Sequence, residues 1–161
     1  MNILVTFKTF GNQKDYLKNS FKESATVFFA EDYREEDLEN VFAKSDILLS
    51  WNPSAEGIDK NRVPLSNIKF MQLMSAGYDH VRLEDFPEGF PIACNKGAYA
   101  EPMAEHVVAM MLALSKRLTV YHADMSNGHF KQMESQTKFI KGTTVGIVGF
   151  GAIGKAVARL L

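Results

Sequence analysis

Apolar residues in the first part of the chain form short continuous runs that alternate with amphipathic segments. Between the runs, apolar residues recur at helical spacing, as at Leu38, Val41 and Phe42. Continuous apolar strands separated by amphipathic helices predict a parallel sheet that is covered by helices on both faces. The runs of strand character lie at residues 3–7, 25–30, 46–51, 69–74 and 91–95, and residues 52–67 are predicted to be a long irregular connection.

Two helix starts are predicted from residues that cap helices. Asn12, just after Gly11, is a candidate cap for a helix that buries Leu17 and Phe21. Asp32 and Glu35 have the spacing of a capping box and precede the second helix.

The pattern changes after Glu101. Residues 103–114 are apolar on nearly every face, which predicts a helix buried within a domain or between two domains. Pro102 suits the first turn of that helix. Residues 126–142 are polar and predict a connection, whereas residues 143–149 predict a buried strand followed by a helix. We therefore divide the chain into an α/β domain over residues 1–99 and a second segment over residues 100–161.

The composition narrows the classes of partner. A net charge of -1 and a pI near 6.4 give no reason to expect nucleic acid or a membrane surface as partner. The one cysteine, Cys94, cannot form an internal disulfide, and no set of metal ligands is recognised, so we expect a cytoplasmic protein without a metal site. The acidic residues between positions 31 and 39 are interpreted as a solvated helix start.

A glycine motif follows the last predicted strand. The segment 149–154 has the pattern GxGxxG, and it lies between an apolar strand and an apolar helix, as a dinucleotide-binding turn requires. Gly149 would permit the tight turn, Gly151 would let the backbone approach a pyrophosphate, and Gly154 would let the helix pack closely on the strand. The alternative is that these glycines serve only the turn and the packing.

A second loop, Ser75-Ala76-Gly77-Tyr78-Asp79-His80, follows the fourth predicted strand. Small residues at the carboxyl end of a strand expose backbone N–H groups, which can bind a carboxylate or phosphate. An ordinary glycine-containing turn capped by Asp79 is the alternative.

Three segments in this order resemble the D-isomer-specific 2-hydroxyacid dehydrogenases. They read LMSAGYDHVRLEDF at 73–86, PIACNKGAYAEPMAEHVVAMMLALSKRL at 91–118 and KGTTVGIVGFGAIGKAVARLL at 141–161. The resemblance implies a flavodoxin-like substrate domain over residues 1–99. It also implies that residues 100–161 contribute the interdomain helix and the first βα unit of a Rossmann nucleotide-binding domain.

The resemblance also implies roles for individual residues and a cofactor, NAD or NADP. The backbone amides of Ser75, Ala76 and Gly77 would bind the substrate carboxylate, and Met103 would contact the nicotinamide. Two positions depart from the usual family pattern, Lys96-Gly97 in place of Thr-Pro and Ala152 in place of an arginine. The residues implied to hold the pyrophosphate are Gly149, Gly151, Ala152, Ile153 and Gly154.

The implied function is an NAD(P)-dependent oxidoreductase that interconverts a small D-2-hydroxy acid and its 2-keto acid. The family's catalytic arginine, glutamate and histidine lie downstream of the glycine motif, so no residue of this chain inherits a catalytic role. The four histidines, at 80, 106, 122 and 129, are interpreted as structural or solvent-facing.

We expect an N-terminal half that is inactive alone. The unpaired strand 143–149 further predicts that the segment after residue 100 is partly disordered, swapped, or buried in a homodimer or against a C-terminal half. One alternative is a non-catalytic module for dimerisation or small-acid binding. Another is a flavodoxin-like signalling domain, which leaves the glycine motif unexplained.

Overall fold

A computed structural model describes residues 1–134 and 136–161, and the chain divides into two compact units, Met1–Lys96 and Gly97–Leu161. The first unit is built on a five-stranded, wholly parallel sheet with the order β2-β1-β3-β4-β5. This arrangement confirms the predicted α/β class. The strands are β1 (Asn2–Val5), β2 (Thr26–Phe29), β3 (Ile47–Ser50), β4 (Phe70–Leu73) and β5 (Ile92–Ala93), and the helices are α1 (Gln13–Phe21) and α2 (Glu35–Lys44).

The sheet is buried on both faces, as the continuous apolar strands predict. Along β1, Ile3 and Val5 point to one face and Leu4 to the other, and all three are buried. Helix α1 covers the first face with Leu17 and Phe21, which pack against the cluster that contains Ile3 and Val5.

The opposite face is covered partly by helix and partly by irregular chain. Phe42 of α2 packs in the same cluster as Leu4. The connection between β3 and β4 contains no helix, yet its Ile58, Leu65 and Ile68 are buried in this cluster. Apolar side chains spaced along an irregular segment therefore replace the helix that a βαβ crossover usually supplies.

The predicted capping box is wrong. Helix α2 begins at Glu35 with Arg34 as its N-cap, and no side chain caps it. Asp32 instead lies in a short 3-10 turn and pairs with Lys14, with Nζ and Oδ1 2.5 Å apart. The Asp32 carboxylate, which the sequence spacing assigned to the cap of α2, therefore forms a tertiary ion pair instead. Helix α1 begins as predicted after Asn12, although the Asn12 side chain makes no capping hydrogen bond.

The second unit contains three α-helices in its described residues. They are α3 (Ala100–Ser115), α4 (Leu118–Ser126) and α5 (Ala152–Leu160), of which α4 was not predicted. Helices α3 and α5 pack through small side chains, with Ala104 and Ala156 fully buried. In the described part of the chain, no helix combines the length and apolarity needed to cross a membrane.

The predicted strand at residues 143–149 is absent. The segment pairs with no strand in the described residues, and the Val148 side chain is fully exposed. A strand is defined by hydrogen bonds to a neighbour, and the five paired strands all belong to the first unit. The apolar pattern is therefore that of a strand, but these residues contain no partner for it.

The predicted burial of α3 is also incorrect within this chain. Only Ala100 and Ala104 of the helix are buried, while Met103, Met110 and Leu114 are exposed. An all-round apolar helix needs packing on several sides, and the described residues supply it mainly on the side of α5.

The carboxylates of the first unit predict a loss of stability in acid. The Lys69 ammonium, with Nζ 2.8 Å from Oδ1, and the Asn2 N–H hold the pKa of Asp46 below its usual value of 3.8. The hydroxyl of Thr9, and then Lys14, likewise lowers the pKa of Glu31. A lowered native pKa contributes stability above the unfolded-state pKa, and this contribution is lost as the pH falls through the native pKa.

We therefore expect the free energy of unfolding to fall below about pH 5. Asp46→Asn should flatten that pH dependence in urea titrations, because it removes one of the groups that take up protons on unfolding. Glu88→Gln is the matched control, since Glu88 is exposed and has no ion pair in the described residues. Equal pH dependence in Asp46→Asn and the unmodified chain would contradict the assignment.

Candidate functional site

The candidate site of the first unit lies at the carboxyl edge of its sheet. Parallel register places the ends of neighbouring strands side by side, and backbone hydrogen bonds continue the alignment beyond them. Thr6 N donates to Leu49 O at 3.0 Å, Met74 N donates to Ser50 O at 2.8 Å, and Asn95 N donates to Ser75 O at 2.8 Å. The residues after β1, β3, β4 and β5 therefore line a single edge, where open α/β sheets bind ligands.

The loop after β4 presents free backbone donors. Ala76 and Gly77 are exposed, and their N–H groups donate to no acceptor in the described part of the chain. The Ser75 hydroxyl donates to Gly77 O at 2.7 Å, which tightens the turn. This geometry agrees with an anion-binding loop, and the roles of Ser75, Ala76 and Gly77 stay predictions.

His80 links this loop to the end of β3. Its Nε2 lies 3.1 Å from the carbonyl oxygen of Trp51 and 3.5 Å from the hydroxyl oxygen of Ser75. The interpretation of His80 as structural did not include this link, because the contact joins residues that are distant in sequence.

Glu56 organises the end of β3, and sequence reasoning missed it. Its carboxylate accepts hydrogen bonds from the backbone N–H groups of Trp51 (2.9 Å) and Asn52 (2.6 Å) and from the Ser50 hydroxyl (2.7 Å). The Thr6 hydroxyl oxygen lies 2.5 Å from Oε2 and so ties the same group to the end of β1. An isolated glutamate in an irregular connection gives no sequence signal of this kind. Three of its partners are the consecutive residues 50–52, and Thr6 joins them only when β1 and β3 pair.

The glycine motif of the second unit forms a tight turn before α5. Gly149 has a φ of +90°, a conformation that favours glycine. A Cβ atom on Gly154 would lie 2.3 Å from the carbonyl oxygen of Gly149 and 3.3 Å from Cγ2 of Ile147, so only hydrogen fits there. A Cβ atom on Gly151 would meet nothing within 4 Å, which leaves open space beside the backbone. The three glycines thus have the three different environments that the dinucleotide motif predicts.

Helix α5 follows the turn directly, and no side chain caps its first N–H groups. Gly151 is its N-cap, without a side-chain hydrogen bond, and Ala152 is its first residue. Ala156 and Val157 are buried against α3, and Arg159 pairs with Glu101 at the surface. The positive end of a helix dipole next to a glycine turn can bind an anion without a charged side chain. Met103, the predicted nicotinamide contact, is half-exposed on α3.

Comparisons with known proteins agree with this architecture. Residues 108–161 match the family model described as D-isomer specific 2-hydroxyacid dehydrogenase, NAD binding domain. A glyoxylate reductase of Thermofilum pendens is 28% identical over 136 residues, which are 80% of this chain and 39% of that protein. The glyoxylate reductase/hydroxypyruvate reductase of Homo sapiens is 30% identical over 100 residues, which are 60% of this chain and 30% of that protein.

Solved structures give the same result for nearly the whole chain. The glycerate dehydrogenase related protein from Thermoplasma acidophilum is 27% identical and superimposes with a TM-score of 0.67. That match covers 99% of this chain and 50% of the other. The chain therefore spans about half the length of this solved relative and less than half of the curated relatives above.

Fold and glycine turn together define an α/β protein in which a dinucleotide-type turn lies within the residues that match an NAD binding domain. The chain is related to the D-isomer specific 2-hydroxyacid dehydrogenases, and the resemblance stated from its sequence is confirmed. The prediction of NAD or NADP as cofactor is supported by the match of residues 108–161 to an NAD binding domain.

The Glu56 network predicts a clear loss of stability when the carboxylate is replaced. Glu56→Gln removes the negative charge and leaves one acceptor oxygen for the four donors, of which the Ser50 hydroxyl belongs to a fully buried residue. Because unpaired buried polar groups are costly, we expect a loss of about 1–3 kcal/mol in the free energy of unfolding, measured in urea. Glu88→Gln should change stability by less than about 0.5 kcal/mol, and a similar change in both variants would contradict the role of Glu56.

Substitution by alanine is predicted to have different effects at Gly154 and at Gly151. Gly154→Ala would normally gain about 1 kcal/mol of helix propensity, but the clash with Gly149 O should outweigh it and cost about 1–3 kcal/mol. Hydrogen exchange at the α5 amides should become faster in this variant. Gly151→Ala is the control, since its Cβ enters open space, and it should leave exchange unchanged. Slow exchange in both variants would contradict the close approach.

Proposed function

We propose that this chain provides the substrate-binding domain, residues 1–99, and the start of the NAD(P)-binding domain, residues 100–161, of an oxidoreductase. The reaction interconverts a small D-2-hydroxy acid and its 2-keto acid. The observation that carries the proposal is the glycine turn, in which Gly149 is left-handed and Gly154 has no room for a side chain. This turn lies within the residues that match an NAD binding domain.

The substrate carboxylate is assigned to the loop after β4. The free N–H groups of Ala76 and Gly77, with Ser75, can donate to two carboxylate oxygens without a charged side chain. The carboxylate is common to every acid of this class, so this loop selects the class and leaves the side chain to be recognised elsewhere.

The dinucleotide fits the residues around the turn. Open space beside Gly151 would accommodate a pyrophosphate, and the N–H groups of Ala152, Ile153 and Gly154 at the start of α5 would donate to it. Since Ala152 lacks a charge, the backbone and the helix dipole do the binding. When bound, NAD or NADP supplies the hydride acceptor or donor. Met103 is proposed to contact the nicotinamide.

Proton transfer is assigned to no residue of this chain. The described contacts of His80 are with a carbonyl and a hydroxyl, and it is proposed to position the loop that holds Ser75. We therefore propose that the chain alone is inactive and that the acid–base group comes from another polypeptide segment.

The exposed segment 143–149 and the exposed face of α3 support a partner. We propose either a C-terminal half that adds strands beside residues 143–149 or a homodimer that covers the apolar helices. We also propose a cytoplasmic location, with Cys94 as a free thiol, as the absence of a second cysteine favours.

Cofactor binding is testable with the chain itself. NADH or NADPH, added to 15N-labelled protein, should shift the amide signals of residues 149–154. Gly151→Ala should weaken this binding at least about tenfold, since its Cβ would occupy the space next to the pyrophosphate. Gly146→Ala is a matched control, because a Cβ there also meets nothing within 4 Å but lies before the turn.

Reconstitution distinguishes the enzyme from a non-catalytic module. The chain should be co-expressed with the C-terminal half of a relative, and NADH oxidation should be measured with glyoxylate. Activity that depends on Gly151 supports the proposal, and sedimentation of the chain alone reports whether it dimerises. If neither nucleotide shifts the turn and co-expression yields no activity, a module for dimerisation or small-acid binding becomes the better explanation.

A further inference from the structure

A cavity of about 680 Å³ opens at the carboxyl ends of β1 and β3. The strand order reverses between these two strands, and open α/β sheets bind ligands at such a switch point. All residues that line the cavity belong to the first unit. Its apolar wall is formed by Phe7, Phe10, Tyr16, Leu17, Trp51 and Met74.

Three aromatic side chains of this wall are exposed to solvent. Phe10 and Tyr16 are both 69% exposed and Trp51 is 52% exposed, and Phe7 contacts the Trp51 ring edge-on with centroids 6.3 Å apart. Aromatic rings grouped around a concave surface are typical of binding sites for apolar or aromatic groups.

Two polar side chains of the wall already accept hydrogen bonds within the protein. The Glu56 carboxylate accepts four hydrogen bonds from the ends of β1 and β3, and the Gln13 side-chain oxygen accepts the N–H of Phe10 at 2.9 Å. Lys8 also lines the cavity, and it is exposed to solvent. The cavity therefore offers mainly contact surface, and it favours a group without charge.

The wall continues into the loop assigned to the substrate carboxylate. Met74 lines the cavity and is followed directly by Ser75. Trp51 also lines the cavity, and His80 links it to Ser75. The Nε2 atom of His80 lies 3.1 Å from the carbonyl oxygen of Trp51 and 3.5 Å from the hydroxyl oxygen of Ser75. An acid bound at Ala76 and Gly77 thus has an aromatic cavity next to it.

We propose that this cavity binds the side chain of the substrate and that the preferred substrate is a 2-hydroxy or 2-keto acid with a bulky aromatic side chain. The proposal rests on the function proposed above and names its substrate class. A two-carbon acid such as glycolate would leave the cavity empty. Burial of an aromatic ring should therefore favour the larger acid by at least about tenfold in affinity.

Trp51 is the one tryptophan of the chain, so its fluorescence reports directly on the cavity. The 161-residue protein should be titrated with phenyllactate, with glycolate, and with 3-phenylpropane-1,2-diol, which keeps the ring but replaces the carboxylate by an alcohol. Phenyllactate should change the fluorescence and bind at least about tenfold more tightly than either of the others. Glycolate does not reach the cavity, so its binding is measured by the amide shifts of Ala76 and Gly77.

Substitutions in the wall test the assignment without disturbing the core. Phe10→Ala and Tyr16→Ala replace exposed side chains and should weaken phenyllactate binding by about tenfold while leaving glycolate binding unchanged. Tyr33→Ala is the matched control, because Tyr33 is an exposed aromatic residue that does not line the cavity. It should leave the affinity for both acids unchanged.

The outcomes separate this inference from the function on which it rests. Equal affinity for glycolate and phenyllactate, with amide shifts at the loop, would overturn the inference and leave the proposed function intact. Equal affinity for the diol and phenyllactate would overturn the link between cavity and carboxylate loop. Absence of amide shifts with both acids would overturn the proposed function as well. Dissociation of a dimer by Phe10→Ala, seen by sedimentation, would instead make the wall a self-association surface and overturn the inference.

Discussion

Parallel pairing of β1 with β3 is the constraint on which the first unit depends. It brings the hydroxyl of Thr6 and the end of β3 to the same edge, where one carboxylate, that of Glu56, joins them. It also reverses the strand order and so opens the aromatic cavity beside Trp51. A slip of one residue in this register would turn Leu4 toward the face that Ile3 and Val5 occupy and would separate Thr6 from Glu56.

The second unit follows a different rule, because its apolar surface exceeds what its own residues can cover. Small side chains allow α3 and α5 to pack closely, and Gly154 lets α5 approach the turn. The segment 143–149 has the composition of a buried strand, but it pairs with no strand in the described structure. Backbone hydrogen bonding, and not side-chain pattern, decides whether such a segment is a strand.

Both candidate sites present backbone donors, and anion binding is proposed for each of them. Ala76 and Gly77 offer free N–H groups after β4, and the start of α5 offers them after the glycine turn. Backbone donors carry no net charge and need no side-chain ordering, which suits a chain with a net charge of only -1. Selectivity is then expected from the shape of the surroundings. These are the close approach of α5 to the turn at Gly154 and the aromatic wall that contains Trp51.

Sequence alone determined the parallel sheet, the position of the glycine turn and the loop at Ser75, because local periodicity and glycine spacing encode them directly. The sequence wrongly predicted a capping box at Asp32, because the Asp32 carboxylate forms a tertiary ion pair with Lys14 instead. Tertiary structure decided the role of Glu56, the link through His80 and the absence of a strand at 143–149. Each of these depends on partners that are distant in sequence or missing from the described residues, and periodicity cannot report a contact between segments.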